Sequence, residues 1–315
     1  MDREKPSVLI TGATGFIGSH LTRKLFQEGF NVSIITRRKS KITVLKDILP
    51  FIHVYYCDLL HFPKLKKIIK SVKPKYIFHL ATYPNYRSTE DVHNLVKTNI
   101  IGTLNLLMAS LEINYAVLVN TGSSSEYGIK NHPMKETDSL KPISFYAATK
   151  ASATFLSSVF AKIYNKPIIT FRLFSVYGPY EEKDRFIPTA IRTALINAPL
   201  SLTKEIVRRD FIFVDDVVNA YLSIINRPIA SGEIYNIGTG KQYSNHDIVG
   251  TLEKIIGKKI KIAKKTFKNR PWDTKTWVAD ISRAKNDLGW HPQFSLEKGL
   301  RATYRWFKKT HRFYP

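Results

Sequence analysis

The sequence predicts an α/β protein built on a doubly wound parallel sheet, and three observations carry that expectation. Short apolar runs alternate with helix-length segments through residues 1–178. Those runs are apolar on both faces, as strands covered by helices on both sides must be. A glycine-rich turn stands between the first run and the first helical segment. Crossovers between parallel strands are right-handed, which winds successive units outward in both directions.

The elements follow in order. "SVLIT" (7–11) reads as the first strand and "GSHLTRKLFQEG" as the first helix. "NVSIIT" (31–36), "FIHVYYCD" (51–58), "YIFHLA" (76–81) and "AVLVNTG" (116–122) each follow a segment able to form a helix. A long helix is expected from about Tyr146 to Tyr164, then a strand in "IITFRLFSVYG" (168–178). Beyond Gly178 the rhythm changes, with prolines at 179, 188 and 199. "RDFIFVDDVVNAYLSII" (209–225) and "EIYNIGTG" (233–240) read as a return to the sheet. The remainder, 241–315, is helix-rich and basic. The expected organisation is a nucleotide-binding domain in 1–178 plus a return segment at about 208–240. A smaller C-terminal lobe is expected from 179–207 and 241–315, with ligand bound beyond the carboxyl ends of the strands.

At 315 residues the chain can bury a proper core. It carries 49 Lys+Arg against 25 Asp+Glu, a formal charge of +24, which attracts anions to any cleft. Basic patches such as "KLKKIIK" (64–70) and "KKIKIAKK" (258–265) read as solvated faces of amphipathic elements, so a nucleic-acid partner is not expected. The single cysteine, Cys57, excludes an internal disulfide and fits a reducing compartment. No apolar run approaches the roughly 20 residues of a membrane helix. The early run "VLITGATGFIG" is broken by glycines and lacks a cleavage site. A soluble cytoplasmic protein is expected, without a metal.

"TGATGFIG" (11–18) places Gly12, Gly15 and Gly18 three apart between strand and helix. In that context the glycines serve a tight turn, close approach to a pyrophosphate and close helix–sheet packing, which marks a Rossmann domain. The second strand ends Thr36-Arg37-Arg38-Lys39, where an acid would bind the ribose hydroxyls of NAD(H). Arg37 and Arg38 favour the 2′-phosphate of NADP(H), with NAD(H) left open. Asp58, ending the third strand, is placed for the adenine edge or for a helix N-cap.

"FYAATK" (145–150) sets Tyr146 and Lys150 four apart, on one helix face. A lysine ammonium beside a phenol favours the phenolate, lowering a tyrosine pKa from about 10. That makes the phenol a usable proton donor or acceptor. A second copy, Tyr304 with Lys308, lies in the basic tail and is given no role.

Together "TGATGFIGSHL", "HLA" (79–81), "TNIIGT" (98–103), "SSSEYG" (123–128), "YAATK", "RLFSVYGP", "RRDFIFVDDVVNA" and "RPWD…ADISRAKNDLGWHP" resemble the extended short-chain dehydrogenases/reductases, in their nucleotide-sugar epimerase/dehydratase branch. The resemblance covers nearly the whole chain. It implies NAD(P) in the Rossmann domain, a nucleoside-diphosphate sugar in the C-terminal lobe, and a homodimer through helices near 92–111 and 146–164. Carried over by position, Ser123 hydrogen-bonds the reacting sugar oxygen, Tyr146 transfers the proton, and Lys150 tunes Tyr146 and holds the nicotinamide ribose. Thr14, Phe16, Ile17, Leu59, Leu80, Ala81 and Asn99 join the cofactor positions. Arg209 and Arg270 map to diphosphate binding, a role suited to bidentate guanidinium.

Departures from the family pattern shape the expected reaction. Where 4,6-dehydratases carry elimination acids, this chain has Ser124 and Ser125, and Glu126 sits one residue late. Strand alternation aims Glu126 away. Ser175 replaces a common asparagine, and "ATYPNYRSTED" (81–91) is unusual, making Tyr83, Asn85, Tyr86 and Arg87 candidate wall residues beside Ser124, Ser125 and Ser175. The leading expectation is an NADPH-dependent reductase of a nucleoside-diphosphate 4-keto(-6-deoxy) sugar. The alternative is a 4-epimerase with tightly held NAD. The full serine, tyrosine and lysine set argues against a non-catalytic NADP-binding regulator.

Overall fold

The computed structural model describes residues 5–83, 91–264, 266–270 and 273–310. The chain forms two compact units. The first comprises Met1–Glu126, Pro142–Arg172 and Ala220–Tyr235, and the second Tyr127–Lys141, Leu173–Asn219 and Asn236–Pro315.

Strands β1 (Ser7–Thr11), β2 (Asn31–Thr36), β3 (His53–Tyr56), β4 (Tyr76–His79), β5 (Val117–Ser123), β6 (Ile168–Leu173) and β10 (Ile234–Ile237) make one seven-stranded sheet. Its order is β10-β6-β5-β4-β1-β2-β3, and the β1–β2, β1–β4, β2–β3 and β4–β5 pairs are parallel. The order reverses between β1 and β4. Loops leaving those two strands therefore open at the switch point where such sheets bind ligands.

Helices α1 (Phe16–Gln27), α2 (Phe62–Val72), α4 (Gly102–Ser110) and α5 (Phe145–Ile163) connect the strands. A short α3 (Val92–Leu95) runs through a π-helical turn, Val96–Ile101, into α4. The amphipathic pattern of α2 is simple: Leu65, Ile68 and Ile69 are buried, while Lys66 and Lys70 both pair with Glu112 at the surface. That basic patch is a solvated helix face, and in the second patch Lys259 pairs with Glu253. One core cluster joins Leu9, Ile77 and Leu118 of the sheet to Leu106, Leu107 and Phe160 of the helices. Apolar burial of this kind contributes about 25 cal/mol per Å².

The second unit contains α6 (Phe186–Leu195), α8 (Asn245–Ile256), α9 (Ser282–Leu288) and α10 (Leu296–Thr310). The segment 209–225 departs from expectation. Instead of returning to the main sheet, Phe211–Phe213 (β9) pairs with Ser175–Tyr177 (β7) in a separate two-stranded sheet. Arg208–Arg209 (β8) pairs with Tyr243–Ser244 (β11), and helix α7 (Val214–Ser223) starts directly after β9. Asp215 and Asp216 in its first turn complement the helix dipole. Only β10 joins the main sheet, beside β6. The predicted strand 168–178 also divides. At Phe174 the backbone still donates to Ile237, but Ser175 donates to Asp210, so the chain changes sheet there.

Among the described residues no helix is long and apolar enough to cross a membrane.

Candidate active site

The glycine turn is fixed by sterics. Gly12 has φ of 76°, and a Cβ there would lie 2.5 Å from the Leu80 carbonyl carbon and the Ala81 nitrogen. A Cβ on Gly18 would lie 2.1 Å from the Gly12 oxygen. Gly15 differs: its only close neighbour is the Gly12 oxygen at 3.3 Å, and it caps α1 without a side-chain hydrogen bond. The first turn of α1, with half-buried Phe16 and Ile17, thus meets open space in front of backbone donors, which suits a phosphate. Thr14 is also half-buried in this turn, and Leu80 and Ala81 are brought against Gly12. These residues fit a dinucleotide.

Other expected cofactor positions fall out differently. Arg37 and Arg38 are exposed after β2, and the Arg38 guanidinium lies 5.5 Å from the centre of the Tyr56 ring. Asp58 is exposed and accepts the Leu60 N–H at 3.0 Å; His61, not Asp58, caps α2. Leu59 is core, facing Gly102. Asn99 is buried in the π-helical turn. Its side chain accepts the Tyr83 N–H at 2.7 Å and donates to Thr149 Oγ1 at 3.0 Å. It straps the chain after β4 to α5. Half-buried Tyr83 is held there, while Asn85, Tyr86 and Arg87 lie outside the described residues.

The catalytic candidates converge on the end of β5. Ser123 is its last residue, and a 3₁₀ turn, Ser124–Tyr127, follows. Ser123 Oγ lies 2.8 Å from Ser125 Oγ and accepts the Ser125 N–H at 3.2 Å. Ser124 is buried. Across from them α5 begins with Ser144 as N-cap, accepting the Ala147 N–H at 3.1 Å. That places half-buried Tyr146 in the first turn and Lys150 one turn later. Lys150 is buried and its ammonium donates to the Thr121 carbonyl, tying α5 to β5 two residues before Ser123. Burial is the main influence on Lys150 and lowers its pKa to about 8, opposed by the Glu126 carboxylate. His79 stays neutral, its pKa lowered to about 3 by burial and by the Lys150 charge. It bridges Thr11 Oγ1 at 2.6 Å and Thr103 Oγ1 at 2.9 Å.

Glu126 was expected to point away by strand alternation. It is in fact on the 3₁₀ turn and fully buried, accepting the Ser123 N–H at 2.7 Å and pairing with Arg172 Nε at 2.8 Å. The ion pair, rather than alternation, removes it as an elimination acid. Its partner Arg172 was not singled out in the sequence. A glutamate in a serine run gives no signal until its partner on β6 is known.

In the second unit the Arg209 guanidinium and the Arg270 backbone both meet Asp273. Arg209 Nη2 lies 3.2 Å from Asp273 Oδ1, and Arg270 N–H donates to Asp273 Oδ2 at 2.9 Å. The Arg209 guanidinium also sits 4.7 Å from the Trp277 ring centre. Burial lowers the Arg209 pKa to about 10; Asp273 opposes this, and the charges of Arg185 and Arg270 add to the lowering. Arg185, missed in the sequence, therefore belongs to the same cationic cluster. Ser175 is half-buried in β7.

The family model described as GDP-mannose 4,6 dehydratase matches residues 9–303. The chain belongs to this family. It is an enzyme family of the extended short-chain dehydrogenase/reductase type, as the motifs implied. A UDP-glucuronate 4-epimerase of Thermodesulfobacterium geofontis is 34% identical over 315 residues, covering 96% of each chain. A dTDP-glucose 4,6-dehydratase of Neisseria meningitidis is 30% identical, covering 95% of this chain and 92% of the relative. The crystal structure of a Bacillus cereus UDP-glucuronic acid 4-epimerase, in complex with UDP-glucuronic acid and NAD, superposes with a TM-score of 0.87 at 31% identity. It covers 96% of this chain and 99% of its own. The family thus holds both epimerases and dehydratases on one fold.

Proposed function

We propose that this chain is an NAD-dependent 4-epimerase of a nucleoside-diphosphate sugar. The observation that carries the reading is a serine, tyrosine and lysine set on a chain that is similar end to end to 4-epimerases. The acid of the serine segment is locked to Arg172, which speaks against elimination chemistry. This reverses the order of the two expectations raised by the sequence, in which the reductase led.

NAD, held at the glycine turn of Gly12, Gly15 and Gly18, would supply reversible hydride acceptance from the sugar carbon. Ser123 Oγ is assigned to hydrogen-bond the 4-oxygen. Tyr146 takes the proton of the 4-hydroxyl and later gives it back. The Lys150 ammonium, one helical turn away, favours the ionised phenol. Net chemistry is an inversion at one carbon, with hydride and proton both restored. Arg209 and Arg270 are assigned to the diphosphate, with Asp273 holding the Arg209 guanidinium and the Arg270 backbone.

A second reading, an NADPH-dependent 4-keto reductase, keeps one observation in its favour: no acid follows β2, only Arg37, Arg38 and Lys39. One experiment separates them. The purified protein is denatured and its released nucleotide identified, then native protein is incubated with UDP-glucuronate and UDP-glucose without added cofactor. Released NAD and formation of a 4-epimer are expected. An empty site, with NADPH consumed on a 4-keto sugar nucleotide, overturns the epimerase.

The working unit is proposed to be a homodimer. Phe155, Val159 and Ile163 are 58%, 49% and 69% exposed at four-residue spacing along α5. Ile101 and Met108 are 39% and 41% exposed at the start and along the length of α4, which packs beside α5. A two-fold axis through such an uncharged pair of stripes makes a self-complementary contact.

A further inference from the structure

We propose that Glu126 is a positioning residue. Its buried carboxylate, clamped by Arg172, fixes the backbone that presents Ser123 and sets a negative charge toward the Lys150 ammonium. The inference rests on the assignment of Ser123, Tyr146 and Lys150 above and adds to it a charge that no sugar or cofactor touches.

The geometry is closed on every side. Glu126 is 0% and Arg172 2% exposed. One carboxylate oxygen accepts the Ser123 N–H at 2.7 Å, and the other accepts Arg172 Nε at 2.8 Å. Gly122 makes room for this: a Cβ there would stand 2.7 Å from Glu126 Oε1 and 2.9 Å from Thr170 Cγ2. The carboxylate therefore packs against the end of β5, and its hydrogen bond holds the Ser123 backbone N–H. The Ser123 hydroxyl is then aligned by Ser125 Oγ at 2.8 Å. A hydrophobic pair of the same volume fills such a space as well or better, because desolvation of two charges offsets most of their attraction. Packing alone thus gives no reason for an ion pair here.

The second half of the role is electrostatic. The titratable and charged groups that face Lys150 are Glu126 on the 3₁₀ turn with Arg172 of β6 paired to it, His79 on β4, Tyr146 one turn back on α5, and Tyr221 on α7, whose neutral hydroxyl bonds Thr121 Oγ1 at 2.6 Å. His79 is neutral and lends no charge. Glu126 is the group that favours protonated Lys150, against burial, which disfavours it. Without that carboxylate the ammonium is lost at lower pH, and with it the support for ionised Tyr146.

The test compares Glu126→Gln with the paired variant Glu126→Gln/Arg172→Met, which leaves no uncompensated guanidinium. Glutamine keeps an acceptor for the Ser123 N–H and removes the charge. The expected result on the best UDP-sugar of the panel is a kcat about 10–100-fold lower with KM within about 2-fold, the pattern of an interaction used in the transition state. The basic limb of the kcat profile should move down by about one pH unit. Carbon-labelled lysine NMR of the protein as purified, without added sugar, should show the Lys150 midpoint falling by the same amount. If the single variant does not fold, the paired variant decides. A folded paired variant with native kcat, native pH limb and unmoved Lys150 midpoint overturns the proposal. Should Ser123→Ala and Tyr146→Phe themselves keep native turnover, the functional assignment falls instead, whatever Glu126 does.

Discussion

Ser123 and its two neighbours look equivalent in the sequence, yet the structure gives them three environments. Ser123 ends the strand, Ser124 is buried, and Ser125 reaches back to Ser123 Oγ at 2.8 Å. Ser123→Ala is expected to lower kcat about 100-fold or more, as loss of a hydrogen bond to the reacting oxygen does. Ser125→Ala removes one neutral hydrogen bond from its neighbour and should cost about 2–10-fold. From the sequence alone, Ser125 is expected mainly to affect substrate fit. Steady-state kinetics on both variants checks the ranking, and equal losses would show the register to be wrong. The register of Ser123, Tyr146 and Lys150 was legible because spacing along a strand end and a helix face is written in the chain. Glu126–Arg172 was not, since the residues are 46 apart and meet only once β5 and β6 are assembled. Lys150 also makes a stability prediction. Its folded pKa of about 8 lies below its ordinary 10.5, so below pH 8 both states hold the proton and burial costs stability. As pH rises from 8 to 10.5 the folded state sheds the proton first, and wild-type stability climbs by up to about 1.4 kcal/mol per pH unit. Lys150→Met lacks that climb, so denaturant titrations of the two proteins should converge across this window.

At the scale of elements, the glycine turn separates folding from binding. Gly18→Ala drives a Cβ to 2.1 Å from the Gly12 oxygen, a backbone atom that cannot move without tilting α1. Its expected effect is a loss of stability of more than about 1 kcal/mol together with weak dinucleotide binding. Gly15→Ala meets only the Gly12 oxygen at 3.3 Å, so the fold should hold. The added methyl stands where a pyrophosphate approaches, and NAD affinity should fall about 10-fold or more. Thermal melts beside NAD titration distinguish the two, and a Gly15→Ala protein that binds NAD normally refutes the phosphate assignment. Strands β1 and β2 matched their apolar runs residue for residue, because both faces of each are covered and the run has no competing period. The segment 209–225 did not. Three strand residues pass directly into α7, and an apolar run shared by both elements shows neither period clearly. The π-helical turn at Val96–Ile101 was equally hidden, since its one-residue insertion leaves the helical pattern of 92–111 nearly intact.

For the molecule as a whole, charge and association pull in opposite directions. Each chain carries a formal +24, so two copies repel at long range. Yet the stripe of Phe155, Val159 and Ile163 offers uncharged apolar surface that a second copy can cover. The sequence displayed both features, but only the fold shows that these side chains face outward and not into the core beneath α5. Association should therefore strengthen with salt, the reverse of a contact held by ion pairs. At low ionic strength the repulsion extends beyond about 10 Å, and near 1 M salt it is screened within about 3 Å, leaving the apolar contact unopposed. The native protein is expected to sediment at twice the 36.1 kDa chain mass at micromolar concentration in 0.5 M salt. Phe155→Lys/Val159→Lys should be monomeric under the same conditions, since a two-fold axis sets each new charge against its own copy. Both residues are exposed in the single chain, so at concentrations low enough to dissociate the native dimer the two proteins should differ in stability by no more than about 0.5 kcal/mol. A native protein that remains monomeric in high salt would overturn the homodimer, and a double-lysine variant that still pairs would place the contact elsewhere.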